Sequence, residues 1–244
     1  MTDEIRSGRV FLKAGWERLD AVETDQSRGV AAPLQEDPPQ QDAPIISLPR
    51  PADVAGEGKS LFDLISTRKS RRKYVKGSLK LEQASYLAWA TAGIREARAK
   101  YSFRTVPSAG ARHPLDLYLY ASRVEGVESG LYRYLPLEHA LVRVALPGDA
   151  SQLDEALCGQ YWNAALVFIW VAVPYRTEWR YSLVSHKLIA LDAGHSCQNL
   201  YLACEALGLG TCAIGAYDQE KLDAFLGLDG DDRFAVYAAP VGPL

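Results

Sequence analysis

Several kinds of catalytic and metal site have no support in this 244-residue sequence. Its four cysteines form neither a CxxC pair nor the disulfide framework of a secreted domain. Its four histidines show no HxxxH spacing, and the cysteines have apolar neighbours typical of a core, so we predict no metal site. No GxSxG motif is present, and no glycine fingerprint precedes a helix. These absences argue against a serine hydrolase and against a Rossmann dinucleotide domain.

The sequence also lacks a long apolar run and an excess of positive charge. The longest apolar run, Ala164–Pro174, is far shorter than the ~20 residues that span a membrane. The charged N-terminal residues do not resemble a signal peptide. Lys and Arg number 27 against 30 Asp and Glu, a net charge of −3, which argues against a general nucleic-acid binder. We therefore expect a soluble cytoplasmic protein without a membrane or nucleic-acid partner.

Proline is concentrated near the N-terminus. Six of the 13 prolines lie between Pro33 and Pro51. No helix or sheet interior tolerates that density, because proline lacks the N–H donor and fixes φ. We interpret residues 1–58 as an extended arm with one short helix around Arg9–Val22, and residues 59–244 as one folded domain. Scattered apolar residues favour an arm that wraps a surface, including that of a partner subunit, over one that moves freely in solvent.

Hydrophobic patterning after residue 60 predicts both helices and strands. Helical spacing covers residues 61–69 and 81–97, and residues 187–207 are apolar around most of a long helix that ends at Gly208. Alternating segments predict strands at residues 116–122, 131–135, 140–146 and 234–242. Residues 165–173 are apolar on both faces, which predicts a central strand. The order of these elements indicates an α+β fold with a mostly antiparallel sheet.

A basic segment follows the first of these helices. Residues 66–76 read STRKSRRKYVK, with six cations in nine residues. One interpretation is a solvated face or a nucleic-acid patch. The other is an anion site, because arginine and serine side chains match the oxygens of a phosphate. The acidic remainder of the chain disfavours nucleic acid.

A loop rich in small residues forms the second candidate. Residues 104–114 read RTVPSAGARHP, so that Pro107 and Pro114 bracket small side chains. This is either an ordinary loop before a strand or a place where backbone groups approach a flat ligand closely. Arg112 and His113 add cations that favour the second interpretation.

The long apolar helix carries the third candidate. A polar stripe recurs along it every three or four residues: Asp192, His195, Ser196 and Asn199. This stripe is either a satisfied polar seam between helices or part of a site. After the helix, residues 211–215 should form a strand with exposed backbone N–H groups near Ile214 and Gly215.

These three segments, in this order, resemble the nitroreductase superfamily, and most closely its SagB-type dehydrogenase branch. The segments TRKSRRKY, PSAGARHP, LDAGHSCQNLYLACEALGLG and TCAIGAYD carry the resemblance, which covers about residues 60–242. Such proteins have an α+β fold and bind FMN non-covalently, usually as an intertwined homodimer with the flavins at the interface. The resemblance therefore implies an FMN-dependent oxidoreductase.

The resemblance also implies which residues of this chain contact the cofactor. Residues expected to hold the phosphate, the ribityl chain and the polar end of the flavin are Arg68, Lys69, Ser70 and Arg72. Residues expected to contact the ring from the other subunit are Pro107, Ser108, Ala109 and Gly110. Ile214 and Gly215 would lie beside the ring, with one backbone N–H reaching flavin N5. Arg72 would place its charge near the N1–O2 edge, where reduction adds negative charge.

One departure from the family concerns the phosphate site. Nitroreductases usually have a basic residue near the C-terminus, whereas this chain ends in PVGPL. Either Arg112 supplies the additional cation, or FMN binding is weakened or lost.

The expected reaction is hydride transfer through flavin N5, with NAD(P)H or a small organic substrate. An alternative is oxidation of a thiazoline or oxazoline ring on a peptide, the task of SagB-type enzymes, for which Lys187 or Tyr181 could accept the proton. A further alternative is a non-catalytic binding protein that has lost its flavin.

Overall fold

The computed structural model describes residues 3–54, 59–98, 101–144 and 148–244. The expected boundary between residues 58 and 59 adjoins the segment 55–58, which lies outside the described residues. The helices in chain order are α1 (Asp3–Leu12), α2 (Leu61–Thr67), α3 (Leu81–Ala92), α4 (Ala150–Ala156), α5 (Tyr175–Tyr181), α6 (Ser185–Ala206) and α7 (Gln219–Leu226). The strands are β1 (Ile45–Ser47), β2 (Ile94–Ala97), β3 (Ser102–Arg104), β4 (Leu115–Ala121), β5 (Gly130–Leu135), β6 (Ala140–Val144), β7 (Leu166–Ala172), β8 (Leu209–Thr211) and β9 (Phe234–Pro243).

One sheet organises the molecule. Its strand order is β1-β6-β5-β4-β7-β9-β8, with every neighbouring pair antiparallel. Helices α3 and α6 pack on one face of the sheet, and α4 and α7 pack on the other. The expected α+β architecture with a mostly antiparallel sheet flanked by helices is therefore confirmed.

The expected central strand is present, whereas the long helix, which its apolar sequence predicts to be buried, is buried on one side only, with Leu191, Gly194 and His195 exposed. Every residue of β7 is at most 1% exposed, because helices cover both faces of the sheet there. Helix α6 spans 22 residues, and Gly208 after it has a φ of 67°, the left-handed conformation expected at a helix end.

Three local predictions were wrong in extent. The helix expected around Arg9–Val22 is α1, at Asp3–Leu12, and a separate 3-10 turn at Trp16–Arg18, because Gly15 between them has a φ of 62°. The helix expected over residues 81–97 ends at Ala92, since Gly93 is extended and residues 94–97 pair with β3. The strand expected over residues 211–215 ends at Thr211. The expected strand over residues 140–146 is described as far as Val144, and its last two residues lie outside the described part.

The proline-rich segment runs along the folded domain of the same chain. Its strand β1 pairs only with β6, at the edge of the sheet, which is where neighbouring prolines are tolerated. After β1, the carbonyl of Pro49 accepts a hydrogen bond from Ser85 on α3 (2.6 Å).

None of the described helices has the length and hydropathy needed to cross a bilayer.

Candidate functional site

The basic segment lies beside β8 and the C-terminal strand. Ser70 forms a parallel bridge with Thr211, and the Arg71 amide donates to the Thr211 carbonyl (2.9 Å). The Tyr74 hydroxyl donates to the carbonyls of Arg71 (2.9 Å) and Pro240 (3.0 Å). These main-chain contacts fix residues 70–74 against the sheet, so that the side chains of this segment project from an ordered backbone.

The cations of this segment fall into two groups. Arg71 pairs with Glu205 on α6 (3.2 Å), which identifies it as a structural residue. Arg68 stacks on the Tyr201 ring at 5.0 Å and Arg72 on the Trp162 ring at 5.9 Å. Neither Arg68, Arg72 nor the exposed Lys69 forms an ion pair within the described part of the chain. Three positive charges are therefore available to an anion.

The turn after β8 adjoins these cations. The Tyr201 hydroxyl accepts from the Ala213 amide (2.8 Å) and shares a hydrogen bond with Ser70 Oγ (3.0 Å), which ties the turn to the basic segment. The Ile214 amide donates to the Ala238 carbonyl (2.7 Å). It is therefore already bonded, whereas its expected role beside flavin N5 requires a free donor. Gly215 is exposed and a Cβ there would meet only open space. Of the two, only the Gly215 amide is placed to serve an incoming ligand.

The loop of small residues has an unusual backbone. Gly110, Ala111 and His113 have φ values of 57°, 51° and 49°. For residues with a side chain this conformation costs about 1–2 kcal/mol each. Ser108 Oγ accepts from the His113 amide (2.9 Å), which helps to hold the turn. Strained residues are enriched at ligand contacts, although positive φ also occurs outside the candidate segments, for example at Asp42 and His139.

Arg112 lies with this loop and away from the basic segment. Its Nε donates to the Arg176 carbonyl (2.9 Å) and its guanidinium stacks on the Trp179 ring at 4.8 Å. Its buried Nη2 has no hydrogen-bond partner among the described residues. Within one chain, Arg112 therefore does not complete a site with Arg68 and Arg72.

Asp192 is buried beneath the loop. Burial raises the pKa of its carboxyl to about 6, although hydrogen bonds from Ser108 and Ala109 lower it. It shares a cavity of about 20 Å³, room for one water molecule, with Arg104 and His113. Burial and the charge of Arg104 lower the pKa of His113 to about 3, so its imidazole is neutral at physiological pH.

The other polar residues of α6 mostly satisfy the core. Ser196 accepts from Trp170 Nε1 (2.7 Å) and donates to the Thr91 carbonyl (2.7 Å). Asn199 donates to the Ala90 carbonyl (2.9 Å). These two residues form a polar seam between helices, while His195 is exposed.

Of the two expected proton acceptors, Tyr181 lies near the loop and Lys187 lies under the arm. Lys187 donates to the Leu12 carbonyl at the end of α1. The Tyr181 ring packs edge-on against Trp16, and its hydroxyl lies 2.6 Å from where a Cβ on Gly110 would be. Tyr181 is therefore close to the loop, whereas the Lys187 ammonium is engaged by the arm.

The structure brings the predicted residues together in two groups. One group surrounds Tyr201 near the end of α6, and the other surrounds Asp192 nearer its start. Nine residues along a helix separate these by about 14 Å. Sequence reasoning overlooked the residues that hold each group in place, Tyr201 and Arg176 among them, because an aromatic or arginine side chain gives no local signal of what it contacts.

Comparisons with known proteins agree with this architecture. The model of the Nitroreductase family matches residues 65–243. The Methanocaldococcus jannaschii protein named "Putative nitroreductase MJ1384" is 37% identical over 184 residues, covering 75% of this chain and 90% of that protein. The "Trifolitoxin-processing protein TfxB" of Rhizobium leguminosarum bv. trifolii is 28% identical over 136 residues, which is 52% of this chain and only 36% of that protein.

A solved structure shows the same fold. The crystal structure of a "putative nitroreductase" from Ralstonia eutropha JMP134 superimposes with a TM-score of 0.69 at 26% identity, covering 87% of this chain and 96% of that one. The family match spans most of the chain, including the basic segment, the loop and the turn after β8. The chain therefore belongs to the nitroreductase family.

Proposed function

We propose that this protein is an FMN-dependent oxidoreductase that acts as a homodimer, with each flavin site built from both copies. The observation that carries the proposal is the group of unpaired cations at Arg68, Lys69 and Arg72 beside Ser70 and the open backbone at Gly215. Guanidinium groups, an ammonium and a hydroxyl are the donors that a phosphate monoester requires.

The donor set fits the phosphate of FMN without a cation from the C-terminal strand. That strand lies against the basic segment, since the Val75 amide donates to the Pro243 carbonyl (3.0 Å). Its last residues carry no basic side chain. Arg112 could add a cation only if the loop came from the second copy, because within its own chain it contacts Arg176 and Trp179 and not the residues around Tyr201.

Each group of residues has its own role in the proposed reaction. Bound FMN would supply hydride transfer at its N5 atom, with NAD(P)H as one possible electron donor. Arg68, Lys69 and Ser70 would hold the phosphate, and Arg72 would keep a positive charge near the pyrimidine end of the ring. The Gly215 amide would donate a hydrogen bond at the ring. The small side chains of residues 107–110 would allow the loop backbone to pack closely against it.

Exposed apolar surface supports the homodimer. On α2, Leu61, Phe62 and Ile65 are 63%, 78% and 58% exposed, and on α6 Leu191 is 48% exposed beside Gly194. Monomers rarely leave such a surface uncovered. We expect sedimentation to give twice the chain mass of 26.8 kDa. A monomer that keeps its flavin would contradict a site shared between copies.

An FMN titration tests the phosphate site. Arg68→Ala should weaken FMN binding about 10- to 100-fold, because a charge-assisted hydrogen bond contributes about 1.5–3 kcal/mol. Lys73→Ala is the matched control, since it removes one exposed charge from the same segment. Arg71→Ala is less suitable, because it breaks the ion pair with Glu205. Equal dissociation constants for the two variants would remove Arg68 from the phosphate site. A wild-type protein that takes up no FMN would favour the flavin-less binding protein.

A second candidate function is oxidation of azoline rings on a peptide, as in the SagB-type branch. The likeness to a trifolitoxin-processing protein favours it. A cleft of about 480 Å³, lined by Phe11, Ile189, Val236 and Tyr237 among others, offers room for a heterocycle. Of the two expected proton acceptors, Tyr181, with its hydroxyl beside Gly110, is the better placed, because the Lys187 ammonium donates to the Leu12 carbonyl. Single-turnover reactions with thiazoline peptides, quinones and nitroaromatics would separate this activity from a general reductase.

A further inference from the structure

A short arm segment, residues 34–38, lies in a cluster of buried arginines. Arg104 donates to the Gln35 carbonyl (3.1 Å) and Arg133 to the Asp37 carbonyl (2.9 Å). The Asp37 carboxylate pairs with Arg176 (3.4 Å) and with Arg233. Arg176 is 1% exposed and also pairs with Asp116 (2.6 Å). Buried charges require partners, so this segment is held at a defined position.

The same segment contacts the loop of small residues. Gln35 Nε2 donates to the Ala111 carbonyl (3.0 Å), while Gln35 Oε1 accepts from Ser102 (2.8 Å). The Arg176 carbonyl accepts from Arg112 Nε, so the residue that binds Asp37 also holds Arg112. The arm therefore contacts Ala111 directly and is linked to Arg112 through Arg176.

We propose that residues 34–38 position the 107–113 loop, and through it the ring-contacting part of the flavin site. Gln35 is the positioning residue and Asp37 anchors it. The physical reason is that Ala111 and His113, which both carry a side chain, have positive φ, a conformation that persists only where surrounding contacts impose it. The inference rests on the proposed function in one respect, namely that the loop contacts the ring of a bound flavin.

Hydrogen–deuterium exchange of the FMN-free protein tests the positioning directly. Gln35→Ala should speed exchange in the 105–114 region about tenfold, the effect expected from losing about 1–2 kcal/mol of hydrogen bonding. Gln41→Ala is the matched control, because Gln41 is exposed in the same arm. Asp37→Asn, which does not contact the loop, should have the same effect on this region as Gln35→Ala. Unchanged exchange in both variants would overturn the proposal. A uniform increase over the whole chain would also overturn it, because it would show that residues 34–38 only stabilise the fold.

An FMN titration supplies the second readout. We expect Gln35→Ala to weaken FMN binding several-fold at temperatures where the variant is fully folded, and Gln41→Ala to leave it unchanged. Faster exchange in the loop with unaltered FMN affinity would overturn the link to the flavin site. If the wild-type protein bound no FMN, the proposed function would fail, while the exchange data would still decide whether the arm positions the loop.

Discussion

Asp192→Asn should stabilise the protein at neutral pH and have little effect in acid. The carboxyl is buried, and its Oδ2 has no hydrogen-bond partner among the described residues. Desolvation raises its pKa to about 6. The native state therefore holds a proton on Asp192 at pH values where the unfolded chain has released it.

The sign and size follow from proton linkage. A carboxyl with a raised native pKa favours folding below its unfolded pKa, near 3.9, and loses that contribution as pH rises through about 6. The difference between these two pKa values corresponds to about 3 kcal/mol, an upper limit for the penalty at pH 7.5. Asparagine carries no charge at any of these pH values, and its side-chain oxygen can still accept hydrogen bonds from Ser108 and Ala109.

Urea unfolding at several pH values between 4 and 7.5 measures this penalty. The free energy of unfolding of Asp192→Asn minus that of wild type should grow by about 1–3 kcal/mol over this range. Contributions of titrating groups that the substitution does not affect cancel in the difference. Asp20→Asn, at an exposed position, should show no such trend. A difference that stays constant with pH would refute the buried, partly unsatisfied carboxylate.

Two other measurements test the loop and the core. Gly110→Ala should lower the free energy of unfolding by at least about 1 kcal/mol more than Gly126→Ala. Both glycines have positive φ, but only at position 110 would a Cβ approach the Tyr181 hydroxyl, at 2.6 Å. Equal losses would show that the loop has room there. In the folded protein, a thiol reagent should modify Cys158 alone, and four thiols should react after unfolding, since Cys158 is exposed and the other three cysteines are buried. Burial also raises the pKa of Cys197 to about 12. Reaction of two or more thiols in the folded state would contradict this packing.

Local patterns predicted elements well where one physical cause dominated. The alternating and fully apolar segments are β4 to β7 and β9, because burial of one or both faces of a sheet dictates those patterns. The pattern failed at Ile94–Ala97, where residues compatible with a helix form a strand. There the extended Gly93 ends the helix, and antiparallel pairing with β3, which follows only a few residues later, outweighs helical propensity.

The candidate site shows the same division. Arg68, Arg72 and the small-residue loop could be proposed as site residues from the sequence, because their composition is itself the chemical signal. The different role of Arg71 could not be predicted, because it depends on an ion pair with Glu205, which is distant in the sequence. The same holds for Ile214, whose amide is taken by Ala238 of β9.

The sequence alone thus determined the fold class and indicated the candidate segments, because hydrophobic period and residue type are local properties. Only the tertiary structure decided which charges are paired, which backbone donors are free, and that Gln35 of the arm donates to the Ala111 carbonyl of the loop. Those outcomes depend on contacts between residues 24 or more positions apart, such as Ile214 with Ala238, Gln35 with Ala111 and Arg71 with Glu205, and no local pattern specifies such partners.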